Sequence, residues 1–405
     1  MAQHNITFYI DVNFTKTKAD TQDLEPAIFV PKSVEAVMHV MYIAVSALAI
    51  GGNGLICYII IAYKRMRTVT NYFILNLAIG DILMACLCIP FGFVSNLLLQ
   101  YWPFGEIMCI LVSYAQVVSV FVSAYTMIAI SIDRYIAILY PFKPKMSKLQ
   151  AKVSILFIWS VALITPLPTA VLSELKVHPS WTGANDTTRY ICIESWSTQE
   201  QKYYYSMALM ILQYFFPLCV LLFTYMRIAI VVWGNQPPGE AEDIRDQKLA
   251  ASKRKMVKMM ITVVTVFSLC WLPLNVLIVI GDLDDSIWEY DNIIYIWFLC
   301  HWLAMSHASY NPFIYCWMNS MFRDGFFQIC HRFSLENFKR KNSDESNLHR
   351  GNTYSTYPSM RNLSMAVASP RVLSKNEKLT PSTRLMIKQA YRYASEDEMV
   401  TDTEV

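Results

Sequence analysis

Long apolar runs alternate with short polar and charged segments along most of this chain. A helix needs ~20 mostly apolar residues to cross ~30 Å of hydrocarbon, and seven runs are long enough. They must be helices, because lipid offers no partners for backbone N–H and C=O groups. The predicted spans are Ala36–Tyr63, Tyr72–Leu99, Ile107–Ile132, Val153–Leu172, Tyr204–Trp233, Val257–Ile280 and Ile293–Met318. The pattern therefore predicts an all-α membrane protein, with a seven-transmembrane helix bundle over residues 36–318.

Basic residues lie almost entirely on one side of this predicted bundle. They follow the first, third and seventh spans and precede the sixth: Lys64, Arg65, Arg67, Lys143, Lys145, Lys148, Lys152, Lys248, Lys253, Arg254, Lys255, Lys258, Arg323, Arg332, Lys339, Arg340 and Lys341. Loops rich in Lys and Arg stay in the cytoplasm. We therefore predict a multi-pass plasma-membrane protein whose N-terminus is extracellular and whose C-terminus is cytoplasmic.

The composition agrees with a membrane protein. Hydrophobic residues make up 55% of the chain and charged residues 16%, whereas soluble domains carry about a quarter charged residues. Residues 1–35 are the predicted extracellular segment. Met1–Val30 contains no apolar run of signal-peptide length, so we expect no cleavable signal and assign targeting to the first span. Asn5, Asn13 and Asn185 each begin a glycosylation sequon on the predicted outer side; chance matches are the alternative.

The chain changes character after the seventh span. Residues 319–333 alternate basic and aromatic side chains at helical spacing, which predicts an amphipathic helix on the inner membrane surface. Cys330 near its end is a candidate for palmitoylation, the alternative being an unmodified thiol. Residues 334–405 are polar and predict a disordered cytoplasmic tail.

The tail carries two candidate interaction signals. Thr403 and Val405 fit the groove of a PDZ domain, which captures a C-terminal carboxylate; a chance match is the alternative. Candidate phosphorylation sites for arrestin recruitment are Ser343, Ser346, Ser355, Thr356 and Ser359. The alternative for these sites is an unmodified, solvated tail.

Cysteines give one long-range restraint. There are 10 in the chain, and those inside the predicted spans are interpreted as small apolar fillers. Cys109, at the top of the third span, and Cys192, in the second outer loop, face the oxidising side. We therefore predict a disulfide between Cys109 and Cys192 that holds the loop across the mouth of the bundle.

Polar groups inside the membrane are costly and usually functional. Asp81 lies midway along the second span, where Ser123, Asn311 and water could join it around a sodium ion. The alternative is a hydrogen-bonded acid that only joins helices. No other cofactor is predicted.

Two polar residues of the third span share one helix face. Gln116 and Arg134 are eighteen residues apart, which is five turns and roughly 27 Å. Gln116 lies near the outer mouth, and Arg134, beside Asp133, lies at the inner rim. The Asp133–Arg134 pair can exchange partners, as a switch requires. For Gln116 the alternative is an interhelical hydrogen bond without a ligand.

Proline residues predict kinks in several spans, because proline lacks an N–H and frees a backbone carbonyl. Trp271 precedes Pro273 by two residues, so a side-chain shift at Trp271 can become a larger swing of the helix end. Asn311 and Pro312 repeat this design, followed by Tyr315.

The predicted outer mouth is acidic. Asp282, Asp284, Asp285, Glu289 and Asp291 cluster between the sixth and seventh spans. Such a field attracts cations and speeds their encounter. Asp282 lies about three turns above Trp271 on the same helix face, and an ordinary solvated loop is the alternative for the others.

Taken together, these motifs resemble rhodopsin-like G protein-coupled receptors over roughly residues 35 to 333. The motifs in chain order are Gly52-Asn53, Leu75-Asn76-Leu77-Ala78 with Asp81, Asp133-Arg134-Tyr135, Trp159, Pro217 with Tyr225, Cys270-Trp271-Leu272-Pro273 and Asn311-Pro312-Phe313-Ile314-Tyr315. The resemblance implies that Arg134, Tyr225 and Tyr315 rearrange when the sixth helix swings outward to admit a heterotrimeric G protein. The basic residues Lys253, Arg254, Lys255 and Lys258 border that opening and are expected to meet acidic partner surfaces or lipid headgroups; membrane-surface anchoring alone is the alternative.

The finer resemblance is to neuropeptide Y-like receptors of the arthropod RYamide and luqin type. It is carried by the stretch from Pro238 through Ala250-Ala251-Ser252-Lys253-Arg254-Lys255 and by His301-Trp302-Leu303-Ala304-Met305-Ser306-His307. It implies a secreted, amidated peptide ligand that ends in Arg-Tyr-amide. Asp282 would pair with the ligand arginine, and Gln116, Gln213 and His301 would contact its terminal amide and tyrosine. Gly92 and Ile278 depart from the vertebrate pattern, so the pocket is not a copy.

Other classes fit less well. An opsin needs a lysine in the seventh span, and an amine receptor needs a carboxylate where Gln116 stands. A transporter would show internal repeats. A membrane enzyme would carry a zinc or nucleophile motif. None of these features is present in the sequence, so neither an enzyme nor a nucleic-acid partner is predicted.

Overall fold

A computed structural model describes residues 31–99, 101–177, 189–234, 244–290 and 292–329. The membrane helices are labelled α1 to α7. Helix α1 is Lys32–Ala62 and α3 is Gly105–Leu139. Helix α2 has four segments, Val69–Leu83, Met84–Cys88, Ile89–Phe93 and Val94–Leu99. Helix α4 comprises Lys148–Ile164 and Leu167–Leu172, and α5 comprises Gln199–Met210, Ile211–Phe215 and Phe216–Gly234. Helix α6 is Ile244–Leu283 and α7 is Ile293–Met318.

Six helices in the described part of the chain, α1 to α6, are both long and apolar enough to cross a membrane. Helix α7 has 26 residues, which also suffices to span. It is less apolar because it carries His301, Ser306, His307, Ser309 and Asn311, all of them buried. Polar side chains in a spanning helix turn toward the bundle interior, so the composition of α7 follows from its central position.

Several helices extend beyond the predicted spans. Helix α3 continues past Arg134 to Leu139, and α6 begins at Ile244 rather than Val257. A bilayer limits only the apolar stretch, and backbone hydrogen bonding continues into the polar region. The predicted spans are therefore the apolar parts of longer helices.

Prolines mark the irregular points of the helices. Two π-helical segments, Met84–Cys88 and Ile211–Phe215, come just before Pro90 and Pro217, and a third in the described residues, Val94–Leu99, follows Pro90 by four residues. Pro166 separates the two segments of α4, while Pro273 and Pro312 lie inside continuous helices. Proline removes one helical donor and crowds the preceding turn, and the helices adjust there by widening, breaking or bending.

A β-hairpin lies between α4 and α5, an addition to the predicted all-α fold. Strand β1, Ser173–Val177, pairs antiparallel with β2, Tyr190–Glu194. The disulfide between Cys109 and Cys192 joins β2 to the first turns of α3, which confirms that prediction. A backbone hydrogen bond of 2.8 Å from Ser195 to Leu172 closes the base of the hairpin.

Close helix contacts depend on small residues and buried amides. A Cβ at Gly52 would lie 2.8 Å from Cγ of Pro312, so glycine allows α1 to approach α7. Asn53 donates to the carbonyl of Ala308 at 2.8 Å across the same contact. Asn76 of α2 donates to Thr126 at 2.7 Å and accepts from Trp159 at 2.8 Å. These bonds tie helices whose association gains little from the hydrophobic effect inside lipid.

Residues 320–329 form the short helix that follows α7, named α8. Phe322 is completely buried and stacks on Tyr315, with ring centroids 5.7 Å apart. Phe327 is 67% exposed, which suits contact with lipid at the inner surface. The described helix stops before Cys330. The glycosylation sequons at Asn5, Asn13 and Asn185, Cys330, the tail 334–405 and Thr403 with Val405 lie outside the described residues.

Candidate functional site

The outer end of α6 carries Asp282 one residue before the helix ends. Its side chain is half-buried. Trp288 folds back over this end and donates to the carbonyl of Gly281 at 3.4 Å. A Cβ at Gly281 would lie 2.8 Å from Nε1 of Trp288, so only glycine leaves room for the indole. The packing of Trp288 against Gly281 thus fixes the end of α6, and with it the position of the neighbouring Asp282 carboxylate at the predicted outer mouth of the bundle.

Asp284 differs from Asp282 because it caps the helical turn Asp285–Glu289. Its carboxylate accepts from the backbone N–H of Ser286 at 3.0 Å. Hydrogen bonds from Ser286 lower the pKa of this exposed acid. Asp284 therefore has a structural partner in the loop, as expected of an ordinary turn residue.

His301 lies within an aromatic cluster at the outer half of α7. Its Nδ1 and the hydroxyl of Tyr42 share a hydrogen bond of 2.8 Å. The ring stacks on Trp297 with centroids 4.8 Å apart, and Tyr42 stacks on Phe93 of α2 at 4.9 Å. Helices α1, α2 and α7 therefore fix the orientation of the imidazole together.

Gln116 and Gln213 lie on neighbouring helices. Gln213, in the π-helical segment of α5, is completely buried and donates to the carbonyl of Val117 at 2.8 Å. The structure thus places Gln213 at the contact between α3 and α5. Its acceptor, Val117, is the residue that follows Gln116 in α3. Gln116 itself is 7% exposed. It lies seven residues, about two turns, below the Cys109 disulfide that carries the hairpin.

His307 lies between the outer and inner halves of the bundle. The sequence analysis quoted it at the end of a resemblance motif but gave it no role. Its ring lies 5.5 Å from that of Trp271 and 5.4 Å from that of Phe267. Its Nε2 lies 3.8 Å from Oδ1 of Asp81. The motif that contains His307 does not indicate its contacts, so only the packing of α7 against α2 and α6 reveals them.

Two of the residues predicted to hold a cation, Asp81 and Asn311, are in contact. Asp81 is completely buried and accepts a hydrogen bond from Asn311 at 2.8 Å. Its Oδ1 has no hydrogen-bond partner among the described residues. Ser123 lies against Gly80, with Oγ 3.2 Å from where a Cβ would stand. One carboxylate with amide and hydroxyl neighbours suits a weakly held hard cation, and among the described residues no three His, Cys, Asp or Glu side chains gather as a transition metal would require.

The inner rim holds Arg134 between three helices. Its guanidinium pairs with Asp133 of the same helix. It also donates to Thr70 of α2 at 2.7 Å and contacts Sδ of Met256 in α6 at 3.3 Å. Thr70 and Met256 were not predicted as partners. This arrangement links α6 to α2 and α3 through one side chain, which we call the Arg134 latch.

Tyr225 and Tyr315 lie close to that latch. Both are buried, and both line a cavity of about 20 Å³ beneath Met260. The structure therefore brings together the two tyrosines that the family resemblance named with Arg134. Phe142, in the loop between α3 and α4, is completely exposed. An exposed aromatic side chain is a candidate contact for a partner protein.

The chain is similar in sequence to a known protein family and to several known proteins. Residues 52–315 match the model of the family described as 7 transmembrane receptor (rhodopsin family). The RYamide receptor of Drosophila melanogaster is 52% identical over 296 residues, and that of Tribolium castaneum is 46% identical over 346 residues. The neuromedin-K receptor of Oryctolagus cuniculus is 36% identical over 338 residues.

The extent of these matches differs. The alignments cover 73%, 82% and 82% of this chain, in the same order. They cover 63% of the Drosophila protein, 92% of the Tribolium protein and 70% of the rabbit protein. The match to the family model runs from Gly52 in α1 to Tyr315 in α7 and includes α2 to α6 completely.

Proposed function

The chain belongs to the rhodopsin family of seven-transmembrane receptors, and from this membership we propose that it is a plasma-membrane receptor for a secreted, amidated neuropeptide that signals through heterotrimeric G proteins. The ligand class is a peptide that ends in Arg-Tyr-amide. The observation that carries the proposal is the half-buried carboxylate of Asp282 at the outer end of α6. An arginine held there exchanges water for a charge-assisted hydrogen bond.

The other proposed contacts serve the amidated end of the peptide. Gln116 and His301 each present donors or acceptors for a neutral amide. His301 is oriented beforehand by Tyr42 and Trp297, which lowers the entropy lost on binding. Gln213 donates a hydrogen bond to the carbonyl of Val117. In this proposal that hydrogen bond breaks when the ligand binds, and Gln213 contacts the ligand instead. A carboxylate at the peptide terminus would lack the amide donors.

Activation is proposed to pass through the packed centre of the bundle. A ligand that moves Trp271 also changes the surroundings of His307, because their rings are in contact. His307 in turn faces Asp81. The swing of α6 then requires Arg134 to give up its contact with Met256. Tyr225, Tyr315 and Pro312 lie where the helices must repack, and Phe142 is a proposed contact for the G protein.

A sodium ion beside Asp81 is part of the proposal. The carbonyl of Ala304 lies 2.6 Å from Nδ1 of His307. A carbonyl only accepts, so Nδ1 carries the proton. In the neutral ring Nε2 then carries the lone pair, which faces Asp81 Oδ1 3.8 Å away. Two facing acceptors favour a cation between them, with Ser123 and Asn311 as further ligands.

Further partners are proposed for the inner side. Arrestin would engage the tail after phosphorylation, and a PDZ-domain protein would bind Thr403 and Val405. The proposed modifications are glycosylation at Asn5, Asn13 and Asn185 and palmitoylation at Cys330. All of these residues lie outside the described part of the chain, so their support is the sequence pattern and the predicted topology.

The proposed function is tested with four synthetic peptides of equal length on cells that express the receptor. One ends in Arg-Tyr-amide, one in Arg-Tyr with a free carboxylate, one in Ala-Tyr-amide and one in a scrambled order. Calcium and cyclic AMP are recorded, and surface labelling establishes expression. We expect a dose-dependent response to the first peptide and at least a tenfold weaker response to the others. Equal responses to all four, or none to any while the receptor is at the surface, would contradict the proposal.

A further inference from the structure

A groove at the inner end of α3 and α4 forms a second candidate binding site. Its volume is about 520 Å³, and its walls come from α3, the loop after it and the first turns of α4. Ile136, Met146 and Val153 supply apolar wall, and Lys143 and Lys145 lie at its polar end. We call this feature the basic groove.

The basic groove continues into the lipid-facing surface of α4. Leu149 and Val153, which line it, are 71% and 58% exposed. Leu156 and Phe157, one turn further along the same face, are 67% and 66% exposed. Apolar side chains so exposed in a spanning helix contact hydrocarbon. The groove is therefore open toward the acyl chains of the bilayer rather than only toward water.

The charge around the groove is strongly positive. Residues 133–154 contain one acid, Asp133, which is paired with Arg134. Against it stand five basic residues, Arg134, Lys143, Lys145, Lys148 and Lys152. Nζ of Lys143 lies 4.6 Å from the centroid of the Tyr140 ring, which holds the ammonium at the groove. Basic residues near an anionic membrane surface are attracted to it electrostatically.

We propose that the basic groove binds one acidic phospholipid of the inner leaflet. The phosphate lies between the ammonium groups of Lys143 and Lys145, and one acyl chain lies along Ile136, Met146 and Val153. A soluble phosphate would use the lysines alone and leave the apolar wall uncovered. The length of that wall and its opening to lipid favour an amphiphile.

A lipid in the basic groove would lie next to residues with a proposed role in signalling. Asp133, which lines the groove, is also the partner of Arg134 in the latch. Tyr140 lines it as well, two residues before the exposed Phe142. A bound lipid therefore orders the loop that carries Phe142 and lies next to the Arg134 latch. This inference does not depend on the identity of the peptide ligand.

The test is native mass spectrometry of the purified receptor with dioleoyl phosphatidylinositol 4,5-bisphosphate. Dioleoyl phosphatidylcholine is the neutral comparison, and soluble inositol trisphosphate is the competitor. K143A/K145A removes the headgroup contacts, and V153W fills the apolar wall. The matched control is K64A/R65A, which removes two exposed basic residues from another inner loop. Peptide-binding assays establish that each variant is folded.

We expect one tightly bound acidic lipid, no comparable phosphatidylcholine adduct, and at least fivefold less bound lipid in both K143A/K145A and V153W. The control should bind as the parent does. An equal loss in K64A/R65A would mean diffuse attraction to basic loops and would overturn the site. Unchanged binding in V153W, or full displacement by inositol trisphosphate at equal concentration, would overturn the lipid assignment.

Discussion

The hydroxyl of Tyr42 in α1 lies 2.8 Å from Nδ1 of His301 in α7, although the two residues are 259 positions apart in the chain. Both side chains are buried. In such an environment a hydrogen bond fixes ring orientation as well as adding stability. His301 is the proposed contact for the peptide amide, so Tyr42 positions a binding residue without needing to touch the ligand.

Replacement of Tyr42 by Phe removes this bond and leaves the aromatic stack on Phe93 in place. A buried hydrogen bond contributes ~0.5–1.5 kcal/mol, so the peptide concentration for half-maximal response should rise about 2- to 10-fold. Dose curves at matched surface expression measure the change. Tyr58→Phe, at a lipid-exposed tyrosine of the same helix, is the control. An unchanged curve for Tyr42→Phe would separate His301 from peptide binding.

Asp282→Ala should weaken the response to an Arg-Tyr-amide peptide about 10- to 100-fold, because a charge-assisted hydrogen bond contributes ~1.5–3 kcal/mol. Asp284→Ala also removes one negative charge, but from a residue whose carboxylate accepts a hydrogen bond from the N–H of Ser286. This variant should change the peptide concentration for half-maximal response less than threefold. Asp282→Arg should respond better to a peptide whose arginine is replaced by glutamate than to the original. Equal losses for the two alanine variants would indicate a long-range field instead of a direct pair.

The Arg134 latch predicts higher basal signalling when its partners are removed. Asp133→Asn deletes the ionic partner, and Thr70→Val deletes the 2.7 Å bond to α2. The closed state should lose about 1–2 kcal/mol in Asp133→Asn and less in Thr70→Val, because the Asp133 carboxylate carries a full charge whereas the Thr70 hydroxyl offers the guanidinium only a dipole. Ligand-free G protein activation in membranes is the measurement. Thr262→Val, whose hydroxyl bonds only within α6 at Lys258, should leave basal activity unchanged. A latch that merely stabilises the fold would give lower expression without higher basal activity.

The sequence was sufficient for the spans because a bilayer requires long apolar runs. The disulfide followed from topology, and Asp81 with Asn311 followed from the cost of polar groups in lipid. The π-helical segments could not be predicted, since one extra residue per turn leaves an apolar run apolar. The hairpin was missed because Tyr190–Glu194 holds Ile, Cys and Ile in succession and does not alternate, and because five residues are a weak signal for a strand. His307, Thr70 and Met256 depend on contacts between distant helices, which no local pattern encodes.

Two glutamates of the hairpin, Glu194 and Glu174, should make the folding stability of the receptor depend on pH in opposite directions. Burial raises the pKa of Glu194, although Trp196 donates to its carboxylate at 3.0 Å. Hydrogen bonding with Ser195 and the ammonium of Lys176 lower the pKa of Glu174. Between the ordinary value of 4.5 and its raised pKa, Glu194 binds more protons in the folded state, so its contribution to stability falls as pH rises. Glu174 favours folding above 4.5 and loses that contribution as pH falls through its lowered pKa.

Thermal unfolding midpoints of the purified receptor between about pH 3 and pH 7 distinguish the two acids. Relative to the parent, Glu194→Gln should gain stability at the upper end of the range. Glu174→Gln should lose stability there. Parallel curves for parent and Glu194→Gln would show that this carboxyl is hydrated when the hairpin is folded.

Sodium should stabilise the receptor through Asp81 and His307. At 150 mM sodium and a dissociation constant of about 50 mM, binding adds roughly 0.8 kcal/mol, or a rise of about 2–3 °C in unfolding midpoint. Choline chloride at equal ionic strength is the reference salt. Asp81→Asn should remove the difference between the salts, because the only formal charge among the proposed ligands is lost. His307→Phe should reduce it by removing the facing nitrogen, whereas His39→Phe, at the outer end of α1, should not. A sodium effect that survives in Asp81→Asn would place the ion elsewhere, and Asp81 would then join helices only through its hydrogen bond with Asn311.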